Sequence, residues 1–348
     1  MNLDLGTALI LLQDGVTTGA IYVLVSLALV MVFTVTRIVL VPQGQFVVYS
    51  ALTVAAFEQG VAPGLAWIVV ATALAAAALE VLSCMRAGTF GALPRRLLVL
   101  LVIPCACALA ARYGVGKHSA FWLQCAAAIV LVTSIGPPLY RVAFQPLGEA
   151  SPLVLLIAAI ALDLVMLGAG LLAFGPEGSR IEGFGQESFQ LAGLRVTAQA
   201  VAVVVCSAIL IAILFAFFSS TIAGKALRAT AVSRAGAQLV GISPAAAGEL
   251  ALTLAAFIGA VSGVLMGPLT TVYFDSGFIL ALKGFVGAIL GGLAGYPLAA
   301  AGALSVGLLE SFASFWASAY KEIIVFTMII PILLWRSLAD PNQHEEAE

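Results

Sequence analysis

Long apolar runs separated by short polar stretches dominate the chain. These runs fall at 8–34, 40–57, 64–84, 96–112, 119–139, 152–174, 197–219, 245–269, 279–295, 298–318 and 321–336. Most of them approach the roughly 20 residues that an α-helix needs to cross the hydrocarbon core of a bilayer. The pattern therefore predicts an all-α fold, a polytopic integral membrane helix bundle with about 9–11 transmembrane helices.

Two of these runs, 40–57 and 279–295, are short and rich in Gly, Pro or Gln. A broken helix at membrane depth is tolerated only where protein surrounds it. Each run is therefore interpreted as either a full span or a broken or re-entrant helix packed inside the bundle. The sequence predicts one transmembrane domain over 1–339, followed by a polar, acidic, disordered cytoplasmic tail over 340–348.

The composition supports a lipid-facing exterior. Hydrophobic residues make up 62% of the chain and charged residues 9%, against about 25% charged in ordinary soluble domains. The mean hydropathy is +1.14, so a water-soluble globule of this size would have to expose a broad apolar surface. The net charge of −2 offers no basic field that would attract nucleic acid, so membrane lipid is the expected surrounding and nucleic acid is not an expected partner.

The sequence lacks the residues of a catalytic or metal site. The two histidines, His118 and His344, cannot build a two-His metal site or a His-based triad. The segment Gly114–Ser119 lacks the spacing of a phosphate-binding loop. The chain is therefore expected to be no enzyme and to hold no metal or cofactor, and any ATP hydrolysis must come from a partner subunit.

Loop lysines and arginines predict the orientation, because cytoplasmic loops carry an excess of these residues. If the loop over 221–242 lies inside, nine basic residues fall on the cytoplasmic side: Arg37, Arg86, Arg95, Arg96, Arg141, Lys225, Arg228, Arg234 and Arg336. Five fall outside: Arg112, Lys117, Arg180, Arg195 and Lys321. This bias predicts an N-terminus outside and a C-terminus in the cytoplasm.

Five carboxylates lie inside apolar runs, where a charge is costly and often functional. Asp14, Glu80 and Glu249 lie near the ends of runs, so their side chains are expected to reach the interface. Asp163 and Glu310 lie deeper. For these two, an interhelical hydrogen bond and a place in a translocation path both remain open.

The loop over 221–242 is too polar to span a membrane but is rich in helix-forming residues. Thr221 is predicted to cap the N-terminus of a short helix that runs through Arg234. We expect that helix to present Lys225, Arg228 and Arg234 to water or to a partner. Its expected docking residues are apolar: Ala226, Leu227 and Ala231.

The same loop resembles that of a known family. Its pattern Thr-x-x-Gly-Lys-Ala-x-Arg-Ala, followed by Ala-x-Leu-x-Gly-Ile-Ser, resembles the cytoplasmic loop of branched-chain amino acid ABC importer permeases of the LivH type. Further similar stretches follow in the family's order: 15–24 in the first helix, Tyr140–Leu147, 260–265, 282–292 and 307–311. The resemblance covers most of 10–60 and 138–338.

This resemblance implies a transmembrane permease subunit in a bacterial inner membrane. It implies ATP-binding-cassette subunits, a second permease subunit in a heterodimer, and a periplasmic solute-binding protein as partners. Loop residues implied to couple to the ATPase are Thr221, Gly224, Lys225, Arg228, Arg234 and Gly241. The implied solute is a branched-chain or other amino acid, and less readily an amide, urea or a small organic acid.

The chain departs from the family in two places. Gln43 stands where the family often has His, in the stretch Leu40–Gly44. Three apolar runs occupy 64–139 where the family usually has one, which predicts a two-helix insertion. A stand-alone secondary carrier or channel is the alternative function, although it predicts inverted repeats that the sequence does not show.

The two irregular runs are the predicted translocation path, since irregular backbone at membrane depth has to line a cavity or be buried. Packing alone remains an alternative interpretation. The predicted path residues are Pro42, Gln43, Gly44, Gln45, Lys283, Gly291 and Gly292.

Overall fold

The computed structural model describes residues 4–87, 96–117, 119–148, 150–183, 188–191, 194–292, 295–328, 330–331 and 334. The predicted tail 340–348 and residues 88–95 of the predicted insertion lie outside the described residues. The described α-helices are α1 (Leu5–Thr36), α2 (Gln43–Gln59), α3 (Leu65–Ala87), α4 (Ile103–Gly114), α5 (Phe121–Leu139), α6 (Pro152–Phe174), α7 (Ala198–Ser220), α8 (Ile222–Val232), α9 (Arg234–Leu239), α10 (Pro244–Met266), α11 (Ser276–Leu290), α12 (Tyr296–Ala317) and α13 (Lys321–Thr327). The predicted all-α membrane bundle is confirmed.

Shorter elements join these helices. A π-helical segment, Leu98–Val102, leads into α4, and a second, Tyr140–Phe144, follows α5. Pro137 and Pro138 lie just before that second segment and remove two backbone donors, which favours an irregular helix end. The two strands β1 (Ser188–Leu191) and β2 (Leu194–Thr197) pair as an antiparallel hairpin.

The bundle has two ends, which we name by their loops. At the loop end, which carries α8 and α9, Arg234 binds the last carbonyls of α1. At the hairpin end, which carries β1 and β2, Arg180 binds the carbonyl of Pro268 just past α10. The first residues of α1 therefore lie at the opposite end of the bundle from α8 and α9.

Helix α1 is the centre of the bundle and packs against α7, α10, α11 and α12. Apart from its cavity-lining residues, most of it is apolar, as expected of a helix surrounded by other apolar helices. Its contact with α12 depends on small residues: a Cβ on Gly307 would lie 2.4 Å from the Cα of Gly19. Such glycine contacts let two membrane helices approach closely.

Helix α2 begins inside the bundle, as a broken-helix interpretation of 40–57 predicts. After α1 ends, the chain returns into the protein through residues 38–42, and Leu40 is completely buried. Gln43, the first residue of α2, lies beside Gly259 in the second half of α10. Nearly every residue of α2 is buried, so protein surrounds the irregular backbone that precedes it.

The described residues contain seven helical stretches long and apolar enough to cross a membrane. The stretches Leu98–Gly114 and Ser276–Leu290 are apolar but shorter, and α2 adds a buried helix. The runs predicted at 298–318 and 321–336 correspond to α12 and α13, which a 3-10 turn at Ser318–Tyr320 separates. The division into two spans stays a prediction, since the second run is described continuously only to Met328.

Helices α3 and α4 lie at the edge of the bundle. They pack mainly on each other and on α5, whereas α5 packs on α2 and α10. Large apolar side chains of α3 face outward, among them Trp67, Leu74 and Met85. This arrangement suits two helices added to the outside of a bundle, and their assignment as an insertion stays a prediction.

Candidate functional site

A cavity of about 370 Å³ lies between α1, α11, α12 and α13. It belongs to the half of the bundle near the hairpin end, because its wall includes Met266 at the end of α10 and Asp14 in the first part of α1. The volume is within the range of small-molecule sites, about 300–1,000 Å³. The charged side chains of the wall are Asp14, Lys283, Glu310, Lys321 and Glu322.

Three helices contribute one polar side chain each to the deepest charged group of this cavity. Lys283 Nζ of α11 lies 2.6 Å from Glu310 Oε1 of α12, and the Tyr22 hydroxyl of α1 donates to Glu310 Oε2 at 2.6 Å. Lys283 Nζ also lies 5.8 Å from the centre of the Tyr22 ring. Only 7% of the Lys283 side chain and 12% of the Glu310 side chain are exposed.

Close helix packing holds this group together. A Cβ on Gly284 would lie 2.5 Å from Val25 of α1, and one on Gly287 would lie 2.7 Å from Ala303 of α12. Helix α11 can therefore lie close to both neighbours. An unpaired charge at membrane depth is costly. Charged Lys283 is therefore stable at this depth only beside Glu310, and charged Glu310 only beside Lys283.

The rest of the wall combines charge with apolar surface. Lys321 and Glu322 begin α13 and face the cavity, and Asp14 accepts a hydrogen bond from Ser311 at 3.3 Å. The apolar part of the wall is formed by Ile21, Met266, Leu269, Ile279 and Leu280. Such a wall suits a small solute that carries both charged and apolar groups.

The cavity ends where α2 and α11 meet. Ser276, the first residue of α11, lines the cavity, and the next residue, Gly277, contacts Gly44 of α2. A Cβ on Gly44 would lie 1.8 Å from the Gly277 carbonyl oxygen, so no larger residue fits at this contact. The α2–α11 contact therefore adjoins the cavity wall at Ser276.

Buried polar side chains cluster around the first residues of α2. Gln43 donates to the Ala255 carbonyl at 3.1 Å, and Gln45 donates to Asp163 at 3.2 Å. The side-chain oxygen Oε1 of each glutamine has no hydrogen-bond partner among the described residues. Asp163 thus makes the interhelical hydrogen bond that was one of its two sequence-based interpretations.

The structure divides the seven predicted path residues into two groups. Pro42, Gln43, Gly44 and Gln45 are buried near the first turn of α11, and Lys283 lies in the adjoining cavity. The other two, Gly291 and Gly292, lie at the far end of α11. A Cβ on Gly291 would lie 2.2 Å from the Ala299 nitrogen, and Gly292 has a φ of 79°. These two glycines therefore permit a tight connection to α12, and a role of any of the seven in transport stays a prediction.

The segment 221–243 forms two short helices at the loop end. As predicted, the Thr221 hydroxyl caps α8, accepting from the Gly224 nitrogen at 3.0 Å. Gly224 lies against the end of α7, where a Cβ would come 2.3 Å from the Phe217 carbonyl oxygen. Gly241 follows α9 with a φ of 84°, a conformation that glycine adopts without strain.

The prediction of one helix that exposes Lys225, Arg228 and Arg234 is only partly correct. Lys225 and Arg228 are exposed, but α8 ends at Val232 and Arg234 begins a second helix. Arg234 binds the Val35 and Thr36 carbonyls of α1, at 3.3 and 2.6 Å, because these last carbonyls of a helix lack partners within it. Leu227, a predicted docking residue, is buried under α8 with 1% exposure.

Apolar side chains other than Leu227 are exposed at the surface of this segment. Ile222, Val232 and Leu239 are each more than 85% exposed, at 88%, 86% and 89%. Together with Lys225 and Arg228 they form a mixed apolar and basic surface, which we call the 221–243 surface. Large apolar side chains exposed on the same short segment are typical of a protein-binding site.

The expectation that the Glu80 side chain reaches the interface is also wrong. Its side chain is completely buried rather than directed to the interface, and it pairs with Arg96 and Arg141. The Arg96 Nη1 lies 2.6 Å from Glu80 Oε1, and Arg141 contacts the other carboxylate oxygen. The group links α3 to the segment that follows α5. No group of three or more metal-ligating side chains occurs among the described residues.

The family comparison matches this arrangement. A family model described as branched-chain amino acid transport system / permease component covers residues 11–333. That span includes the charged cavity, the buried α2 and the 221–243 surface. The chain belongs to this permease family.

Curated relatives of the permease family are similar in part. The high-affinity branched-chain amino acid transport system permease protein BraD of Pseudomonas aeruginosa is 29% identical over 220 residues, covering 61% of this chain and 71% of BraD. The permease protein LivH of Escherichia coli K12 is 31% identical over 225 residues, covering 61% of this chain and 73% of LivH. No solved structure matches the chain.

Sequence reasoning placed Lys283 in the permease path but missed Tyr22 as its neighbour. Tyr22 lies within the resembling stretch 15–24, and its hydroxyl inside a long apolar helix was an available signal. Lys321 was assigned to an outside loop, and Glu322, at the start of the run 321–336, was not among the predicted site residues. Their place in the cavity depends on the turn between α12 and α13.

Proposed function

We propose that the chain is the transmembrane permease subunit of an ATP-driven importer and passes a branched-chain or other amino acid into the cytoplasm. The 221–243 surface is the observation that carries this proposal. It is exposed, mixed apolar and basic, and firmly joined to the helices behind it. A surface of this kind suits docking of an ATP-binding-cassette subunit.

The attachment of this surface supports a coupling role. Arg234 binds the end of α1, Gly224 packs on the end of α7, and Leu227 is buried against the bundle. A displacement of α8 and α9 by a partner would therefore act on α1 and α7 directly. Because packed helices shift between discrete arrangements rather than deform continuously, such a displacement can alter access to the cavity.

The proposed orientation places the loop end in the cytoplasm. The cavity then lies in the outer half of the bundle, where a periplasmic solute-binding protein would deliver the solute. A second, similar permease subunit would complete the importer. The N-terminus lies outside in this orientation, since the first residues of α1 are at the end opposite α8 and α9.

The test is purification of the tagged chain in mild detergent, with mass spectrometry of the proteins that accompany it. We expect a near-stoichiometric ATP-binding-cassette subunit, and its loss on Arg228→Glu, which reverses an exposed charge of the 221–243 surface. Arg112→Gln is the matched control, since Arg112 is exposed and stacks over Trp67 away from this surface. A chain that purifies alone and moves amino acids in liposomes without ATP would replace this proposal with the stand-alone carrier.

A further inference from the structure

We propose that the cavity recognises the zwitterionic part of an amino acid by exchange of ion-pair partners. In this exchange the solute carboxylate binds Lys283, the solute ammonium binds Glu310, and the Lys283–Glu310 pair separates. The inference rests on the proposed function, since it names the groups that an importer of amino acids would use. It also assigns Tyr22 a role as a positioning residue.

The burial of the pair is the first argument. Lys283 and Glu310 are 7% and 12% exposed and 2.6 Å apart, so separating them without replacement would leave two poorly solvated charges. A zwitterion supplies both replacements at once, because it carries a carboxylate and an ammonium on one carbon. A solute with only one of these charges would leave either Lys283 or Glu310 unpaired. The geometry therefore favours a zwitterion over a simple amine or a simple acid.

The hydrogen bonds of Glu310 are the second argument. Lys283 binds Oε1, whereas the Tyr22 hydroxyl binds Oε2 at 2.6 Å. Departure of Lys283 frees one carboxylate oxygen while Tyr22 holds the other. Glu310 therefore stays in place to receive the ammonium, and the exchange requires no rotation of α12.

The remaining wall is the third argument. Among the described residues, neither Lys321 nor Glu322 has an ion-pair partner within 4.0 Å, although both face the cavity. They add one charge of each sign near the buried pair, which suits attraction of a zwitterion. The same wall contains the apolar Ile21, Leu269 and Leu280, which suit an apolar solute side chain.

The first test uses the unaltered chain alone, purified into lipid nanodiscs, and measures binding of radiolabelled leucine up to millimolar concentrations. Unlabelled leucine is compared as a competitor with 3-methylbutylamine, which lacks the carboxylate, and with 4-methylpentanoate, which lacks the ammonium. Each analogue should compete at least about tenfold more weakly, because each loses a charge-assisted contact. Equal competition by either analogue, or no saturable leucine binding, would overturn the inference.

Two variants separate the roles of the pair. Lys283→Met should abolish the disadvantage of the amine, and Glu310→Gln should abolish the disadvantage of the acid, while Arg112→Gln leaves both preferences unchanged. Variants that keep the original preferences would refute the exchange. The outcome is independent of the copurification test. An ATP-binding subunit can accompany a chain whose cavity binds leucine and the two analogues equally. Conversely, the cavity can prefer leucine in a chain that purifies without an ATP-binding subunit.

Discussion

The buried carboxylate of α3 makes a sharp prediction about stability. Glu80 has no exposed side-chain surface, whereas its two arginine partners differ: the Arg141 side chain is 13% exposed and the Arg96 side chain 56%. Opposite unit charges about 4 Å apart attract by about 4 kcal/mol at an effective dielectric of about 20. Water screens the Arg96 pair much more strongly, since exposed pairs contribute about 0–1 kcal/mol. Arg141 should therefore be the partner that stabilises Glu80.

Arg141→Met should lower the free energy of unfolding by about 3–5 kcal/mol, because it leaves the buried Glu80 carboxylate with only the largely exposed Arg96 as a partner. Arg96→Met should lower it by about 1 kcal/mol or less. The double variant Glu80→Gln, Arg141→Met should recover most of the loss, since the buried Glu80 charge is removed together with its partner. The measurement is equilibrium unfolding in mixed micelles of increasing denaturing-detergent fraction.

The comparison of the two arginines decides whether this reasoning is correct. Equal losses for Arg141→Met and Arg96→Met would show that burial does not determine the strength of these pairs. A double variant no more stable than Arg141→Met alone would show that the isolated Glu80 charge is not the cause of the loss. Either result would also remove the argument that Glu80 fastens α3 to the segment after α5.

Three further predictions follow from close contacts. Gly307→Ala should lower the free energy of unfolding by about 1–3 kcal/mol, since its Cβ would overlap α1 at 2.4 Å; Gly168→Ala, which meets nothing within 4 Å, should leave stability within about 0.5 kcal/mol of the original in the same unfolding assay. Gly224→Ala should reduce ATP-dependent uptake in reconstituted liposomes, because its Cβ would force α8 away from α7, and uptake equal to that of Gly168→Ala would contradict the packing argument. Arg234→Met should lower the ratio of solute moved to ATP hydrolysed, since it removes the bonds to the end of α1; an unchanged ratio would show that Arg234 serves only local structure.

The helices were largely predictable because their signal is local. The run 152–174 coincides with α6, and 8–34 lies within α1. The broken-helix interpretation of 40–57 was also available, since its glutamines and proline cannot face lipid. The all-α bundle follows from such runs alone, because length and apolarity are properties of each segment.

The site was less predictable because its contacts join distant segments. Glu310 meets Tyr22, 288 residues away in the chain, and Arg234 meets Thr36, 198 residues away. The charge of each residue was visible in the sequence, but its partner was not. For this reason Arg234 was expected to face water or a partner, whereas it binds α1. Glu80 was expected to reach the interface, whereas it is buried.

Helix α1 connects the two parts of the candidate site physically. Its middle carries Tyr22, which holds Glu310 in the cavity, and its last residues accept the hydrogen bonds of Arg234 from the 221–243 surface. At 1.5 Å per residue, the 14 residues from Tyr22 to Thr36 span about 21 Å. Because the glycine contacts with α12 leave α1 little freedom to bend locally, a displacement at Arg234 should move Tyr22 with the helix. A shift of Tyr22 relative to Glu310 would weaken the bond that keeps Glu310 in place during partner exchange. Coupling and solute recognition therefore act on the same helix, and α1 is the element through which ATP-driven motion would reach the cavity.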